Sequence, residues 1–319
     1  MGKKEDIVMD YLSQPHIIAD LFNGYVFQGK QVIKPEMIRE TDGRVRLLLA
    51  DEKGKKQKGV YEVIKRERDI VREIVIGDKK LRLMICGVEH QSNIDYSMPL
   101  RVLTYDTLEY LKQAKQIEQE HKQKKDVSGN EFLSMFGKED YLIPTITIIF
   151  YTGREQWDGA RDLNELFNEN EYTDIVLPYM VTAPLNLISI YDMKDTSKYH
   201  SSLKQIFELM SFTDDKNALS EYLDKNKDIY SKVDDATARL LSMLLDLEIL
   251  NEQSEDGEES GFNVCKAVED MRKDSREEGI AKGKREIVLN MLTKNLSPEE
   301  ISDLTGISLE RVKQIANNL

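Results

Sequence analysis

The sequence predicts an α/β fold followed by an all-α C-terminal region. Three observations carry this. Helical patterns, a β-hairpin, a long helix and two further strands follow one another through residue 192. One segment, LRLMICGVEHQ at 81–91, reads as a buried strand that ends on a carboxylate and an amide, Glu89 and Gln91. From Lys198 onward the periodicity is helical.

The first helices are expected over 6–12 and 16–27, with Pro15 between them. Ile17, Ile18, Leu21, Phe22 and Tyr25 recur at near-helical spacing, and Lys34-Pro35 breaks the pattern. A Lys-rich loop, DEKGKKQKG, precedes the hairpin. In the first hairpin strand, Val71, Glu73 and Val75 alternate with Ile70, Arg72, Ile74 and Ile76. Gly77-Asp78 turns the chain into the 81–91 strand. Ser97-Met98-Pro99 opens a long helix with an apolar face that runs out into the charged stretch 112–125. The stretch 126–140 reads as a loop. IPTITIIFY at 143–151 has the β-branched run of a central strand, and 185–191 reads as another. Helices are expected at 198–211, 216–229, 234–251 and 263–294. Ser297-Pro298-Glu299-Glu300 then sets a capping box, and two short helices flank Thr305-Gly306.

Composition narrows the functional classes. The chain has 319 residues, 40% hydrophobic and 32% charged, a globular profile with no apolar run approaching the 18 or more residues of a membrane span. The opening MGKKEDIVMDYL lacks the apolar stretch of a signal peptide. Cys86 and Cys265 lie far apart and read as reduced thiols, so a cytoplasmic protein is expected. The net charge of −13 weighs against nucleic acid, but its distribution does not. Residues 53–82 hold 11 Lys/Arg against 5 Asp/Glu, whereas 214–260 hold 5 against 14. A basic segment beside the hairpin and an acidic helical region suit different partners.

Three acids stand where one site could form: Asp20 on the second helix, Asp69 on the first hairpin strand and Glu89 on the second. Pairing outward from Gly77-Asp78 sets residue 69 level with 86 to 87, within about one pair of Glu89 once a bulge is allowed. Two carboxylates that close repel unless a cation lies between them. Hard oxygen ligands suit Mg²⁺ or Mn²⁺, and such a site suits attack of water on a phosphodiester. The plainer readings are a solvated charge for Asp69, a helix-surface acid for Asp20 and a hydrated or helix-capping carboxylate for Glu89.

The segments RDIVREIVIGDKKLRLMICGVEHQSNIDYSMPLRVLTYD, IPTITIIFYTGREQWDG and APLNLISIYDM resemble the Rpn family of recombination-promoting, transposase-like nucleases, within the PD-(D/E)xK superfamily. The likeness spans roughly residues 1–192. It implies a restriction-endonuclease-like mixed sheet core flanked by helices, and a metal-dependent DNA endonuclease. It implies that Asp69 is the first acid of the motif, that Glu89 is its (D/E), and that both hold the metal. Gln91 then stands where the superfamily has Lys, and an amide can hydrogen-bond but brings no charge. Arg101 is a candidate phosphate contact, or else a structural ion-pair residue. Lys65, Arg66 and Arg68 are candidate DNA contacts beside Asp69.

Trp157, in the loop GREQWDG, is expected to pack or act as a lid, with base stacking as the alternative. The chain divides on this reading into a nuclease-like domain 1–192, a helical region 193–251, an acidic linker 252–261 and a C-terminal helical region 262–319. The last region reads as an oligomerisation unit or half a helix-turn-helix, with Arg311 and Lys313 its only cations on the second short helix. The alternative to an endonuclease is a non-catalytic DNA- or protein-interaction scaffold working through those C-terminal helices.

Overall fold

The structure is a computed structural model that describes residues 3–41, 70–76, 79–88, 94–168, 173–247 and 262–317. It falls into two compact units. One comprises Met1–Tyr222 with Arg239–Leu245, and the other Leu223–Ala238 with Asp246–Leu319.

The first unit begins with α1 (Lys3–Leu12) and α2 (Pro15–Tyr25). Pro15 occupies the first turn of α2, where no intrahelical N–H is required. Asn23 is buried near the end of α2 and takes the backbone of the returning chain. Its Oδ1 accepts from Val32 N and Ile33 N, and its Nδ2 donates to Ile33 O. The strands are β1 (Arg39–Glu40), β2 (Ile70–Ile76) and β3 (Lys79–Val88). After α3 (Met98–Lys124) and α4 (Asn130–Ser134) come β4 (Thr145–Tyr151), α5 (Thr173–Val176) and β5 (Asn186–Ser189). The stretch expected as a loop at 126–140 thus contains the single turn α4.

The described strands form one mixed sheet in the order β1-β2-β3-β4-β5. β1, β2 and β3 are antiparallel, whereas β3, β4 and β5 run parallel. Ile70 pairs with Ile85 and Ile76 with Lys79, the register centred on Gly77-Asp78 that the sequence predicts. β4 lies between two parallel neighbours, and Ile148, Ile149 and Phe150 are fully buried. Its faces divide cleanly. Ile149 joins Met98, Val102 and Tyr105 of α3 with Val71 and Trp157. Phe150, one residue on, points the other way and meets the ring of Phe207 at 6.3 Å. Phe207 belongs to α6 (Ser202–Met210), which packs with α2. Sheet and helices therefore make an α/β/α arrangement. The contact between Phe150 and α6 also carries this unit beyond residue 192, where the sequence placed a boundary.

Polar side chains also dock α3 on the sheet. Thr147 Oγ1 donates to Asp106 Oδ1 at 2.6 Å, and Thr145 N to the Tyr110 hydroxyl at 3.1 Å. Gln113 accepts from Ile143 N and donates to Ile143 O. Buried Arg82 reaches Glu73 at 3.2 Å and Glu109 of α3 at 3.5 Å, and donates to Thr41 Oγ1. Burial raises the Asp106 carboxyl pKa, partly offset by the Thr147 bond.

Then follow α7 (Lys216–Lys225), α8 (Lys227–Tyr230) and α9 (Asp235–Leu244). The second unit contains α10 (Val264–Thr293), α11 (Pro298–Thr305) and α12 (Leu309–Asn317). Asn263 caps α10 by accepting from Lys266 N. The expected capping box forms at α11, where Ser297 Oγ accepts from Glu300 N and Glu300 Oε2 accepts from Ser297 N. Gly306 closes α11 at φ +68°, a conformation glycine adopts without a Cβ penalty. Val288, Ile301, Ile307, Val312 and Ile315 make a small core joining the three helices. Cys265 is a free thiol whose pKa burial raises. No helix among the described residues is long and apolar enough to cross a membrane.

Candidate functional site at one end of the sheet

Asp69, Glu89 and Gln91 lie outside the described residues, as do Lys65, Arg66 and Arg68. Their flanks are placed. β2 begins at Ile70, β3 ends at Val88, and the description resumes at Ile94. Because β2 is antiparallel to β3, its first residue and the last residue of β3 belong to one end of the sheet. Val88 pairs with Tyr151, so this is also the carboxyl end of β4. In open α/β sheets such an end is the usual place for ligands.

The register adds a condition. Paired residues share a face and successive residues alternate. Carrying the Ile70–Ile85 pairing outward unbroken would set positions 69 and 89 on opposite faces. Bringing both carboxylates to one ion requires a bulge in one strand, as the sequence reading allowed.

The described residues at this end form an aromatic wall over an acidic rim. Trp157 is buried edge-on against Tyr151, with ring centroids 5.3 Å apart, and its Nε1 donates to Gly159 O at 2.9 Å. This is a packing role. Ile94, where the description resumes, packs on the same cluster. A Cβ on Gly153 would collide with the Tyr151 phenol, so the turn after β4 demands glycine. The Tyr151 phenol pKa is raised by burial and then by the negative charges of Glu155, Asp158 and Asp192. The Tyr96 hydroxyl donates to Asp158 Oδ2 at 3.3 Å.

Arg101 takes its structural role. Nη1 pairs with Asp95 Oδ2 at 3.0 Å, Nε donates to the Tyr105 hydroxyl at 2.9 Å, and the guanidinium sits 5.7 Å from the Tyr105 ring centre. Asp95 Oδ1 in turn accepts from Ser97 N and Oγ. The group orders the start of α3, immediately after the segment carrying Glu89 and Gln91.

Asp20 is buried and committed to the N-terminus of α6. Its carboxylate accepts from His200 N, Ser201 N and Ser201 Oγ at 2.6–3.0 Å. These bonds account for a buried acid without a metal. Among the described residues no three His, Cys, Asp or Glu side chains converge as metal ligands.

No family model, curated protein or solved structure matches this chain.

Two features escaped the sequence reading. His121 is held between two carboxylates, with Nδ1 at 2.6 Å from Asp126 and Nε2 at 2.7 Å from Asp140. The Asp126 bond chiefly, then that of Asp140, raises the His121 pKa. Second, a cavity of about 650 Å³ opens beside β5. Its walls come from residues 24 to 199, too scattered for any local motif to announce it.

Proposed function

We propose that this chain is a metal-dependent DNA endonuclease of the recombination-promoting nuclease kind, built on a restriction-endonuclease-like core. The meeting of strand ends supports the reading: β2 begins and β3 ends at one end of a helix-flanked mixed sheet, the sequence neighbourhoods of Asp69 and Glu89, and a bulge would turn both acids to one face. Asp69 and Glu89 would hold Mg²⁺ or Mn²⁺, because carboxylate oxygens are the hard donors those ions prefer. A metal bound there would polarise the phosphodiester and lower the pKa of a bound water. Gln91 orients by hydrogen bonding where a Lys would add charge. Lys65, Arg66 and Arg68 supply backbone attraction for DNA. Arg101 supports the reading only indirectly, by ordering the chain after Gln91.

Nicking of supercoiled plasmid with Mg²⁺ or Mn²⁺ tests this. Wild type is expected to cut, while Asp69→Ala and Glu89→Ala are not. Equal inertness of all three across metals and DNA forms would sink it.

The second reading is a binding scaffold acting, as a homo-oligomer, through the C-terminal helices. One observation favours it: between Val268 and Val288 no described side chain of α10 is fully buried, which leaves a long helical surface for partners in this unit.

A further inference from the structure

The cavity beside β5 carries chemistry that neither proposed reading uses. Leu187, Ile188 and Ser189 of β5 contribute to its wall, near the carboxyl end of that strand. Its volume of about 650 Å³ fits a small organic ligand.

Its charges are unevenly satisfied. Lys198 is engaged, donating to Gln28 Oε1 at 2.9 Å and pairing with Asp195 at 3.4 Å. Arg161 and Lys194 are exposed cavity residues whose side chains make no ion pair among the described residues. Two uncommitted cations facing one cavity favour an anion. Tyr25 adds an aromatic wall, and Gln156 an exposed amide. Asp192, also exposed, offers an acceptor for a hydroxyl. Ser189 Oγ is buried in the cavity wall without a hydrogen-bond partner among the described residues. The backbone approach is specific too: a Cβ on Gly24 would collide with the Tyr199 ring, so glycine lets α2 close this wall.

An anion alone would use the cations and leave the rest idle. A ligand with a phosphate, a hydroxyl-bearing sugar and a flat polar ring engages the cations, the Asp192 acceptor and the Tyr25 ring together. We propose that this cavity binds a nucleoside monophosphate unit, its phosphate held by Arg161 and Lys194, its sugar hydroxyl by Asp192 and its base laid against Tyr25. The unit is either a free nucleotide or the 5′-phosphorylated end of a DNA strand. The site shares no residue with the Asp69/Glu89 pair and does not depend on cleavage.

Calorimetry on the full chain in EDTA tests it. The probes are deoxynucleoside 5′-monophosphates, inorganic phosphate and a 5′-phosphorylated oligonucleotide. Nucleotide is expected to bind more tightly than inorganic phosphate. Arg161→Ala should weaken it about tenfold, as loss of a charge-assisted contact implies. Lys194→Ala should weaken it less. Both residues are exposed, so neither change threatens folding. Tyr25→Leu should erase the preference over phosphate. Mononucleotide binding identifies a free ligand, and binding of the oligonucleotide alone identifies a strand end. The proposal is overturned if neither binds, if Arg161→Ala binds as wild type does, or if inorganic phosphate binds equally well. Measuring Glu89→Ala in parallel separates the two proposals: loss of nicking with nucleotide binding retained concerns cleavage alone.

Discussion

Helices α3 and α10 are nearly equal in length, 27 and 30 residues, and both are rich in charge, yet they are used in opposite ways. α3 buries one side from Met98 through Gln113. α10 buries Val264 and Val268 at its start and Val288 near its end, while Ile280 and Ile287 stay about half exposed. The difference lies in what falls at helical spacing. On α3 the apolar stripe Met98, Val102, Tyr105 continues as a polar stripe, Asp106, Glu109, Tyr110 and Gln113, and every member of it has a partner. On α10 the apolar residues fall out of step, and Gly279 and Gly283 interrupt the middle. A long charged helix is therefore not one kind of object: satisfied polar groups can dock it as firmly as apolar ones.

The largest test of that comparison removes the ion that joins α3 to the hairpin. Arg82→Ala leaves Glu109, 2% exposed, without its cation, while Glu73 keeps only Lys80 at 3.4 Å. Breaking a buried pair in this way costs about 3–5 kcal/mol, and urea denaturation of the variant should show it. Replacing Arg82 and Glu109 together by Met and Leu should recover most of that loss. If the single change costs under about 1 kcal/mol, the polar docking of α3 is decorative.

A smaller effect of opposite sign is expected on α10. A Cβ at Gly279 or Gly283 meets nothing within 4 Å. Gly279→Ala and Gly283→Ala should each stabilise the helix by about 0.5–1 kcal/mol, seen as slower amide exchange across its middle. A loss of protection would show that those glycines are required for a bend or a close partner.

The smallest effect belongs to the far end of α3. The folded pKa of His121 is raised, chiefly by Asp126 and then by Asp140. Its contribution is fully present below the unfolded value of about 6.5 and is lost as pH rises through the folded value. The pKa of Asp126 is lowered chiefly by His121, and that of Asp140 by the Gly137 amide and then His121. Their contribution is present above about 3.9 and is lost as pH falls through the folded values. The melting-temperature advantage of wild type over His121→Gln should therefore peak at about pH 4–6.5 and narrow on either side. A pH-independent difference would remove the charge from the account.

What the sequence revealed follows the range of the forces involved. The hairpin register was legible because a two-residue turn fixes it locally. The capping box at Ser297 and Glu300 was legible for the same reason. β4 announced itself through its apolar run, which two parallel neighbours require. The role of Asp20 was not legible, because its partners lie 180 residues away. Gln113 sits in a stretch that reads as solvated, and its burial follows from Ile143, which no periodicity in α3 reveals. Arg101 stood open between phosphate and ion pair, and Asp95 decided it. The expected acids Asp69 and Glu89 remain tied to the site through the register of their neighbours alone.

The bonds of Asp20 to His200 and Ser201, with that of Tyr11 to Ser202, bear on synthesis as well as on the finished fold. A ribosome releases residues 3–25 long before residues 200–202 exist. Until then the Asp20 carboxylate lacks the backbone and hydroxyl donors of His200 and Ser201 that meet it in the fold. The helices α1 and α2 are thus made about 180 residues ahead of the donors that secure Asp20.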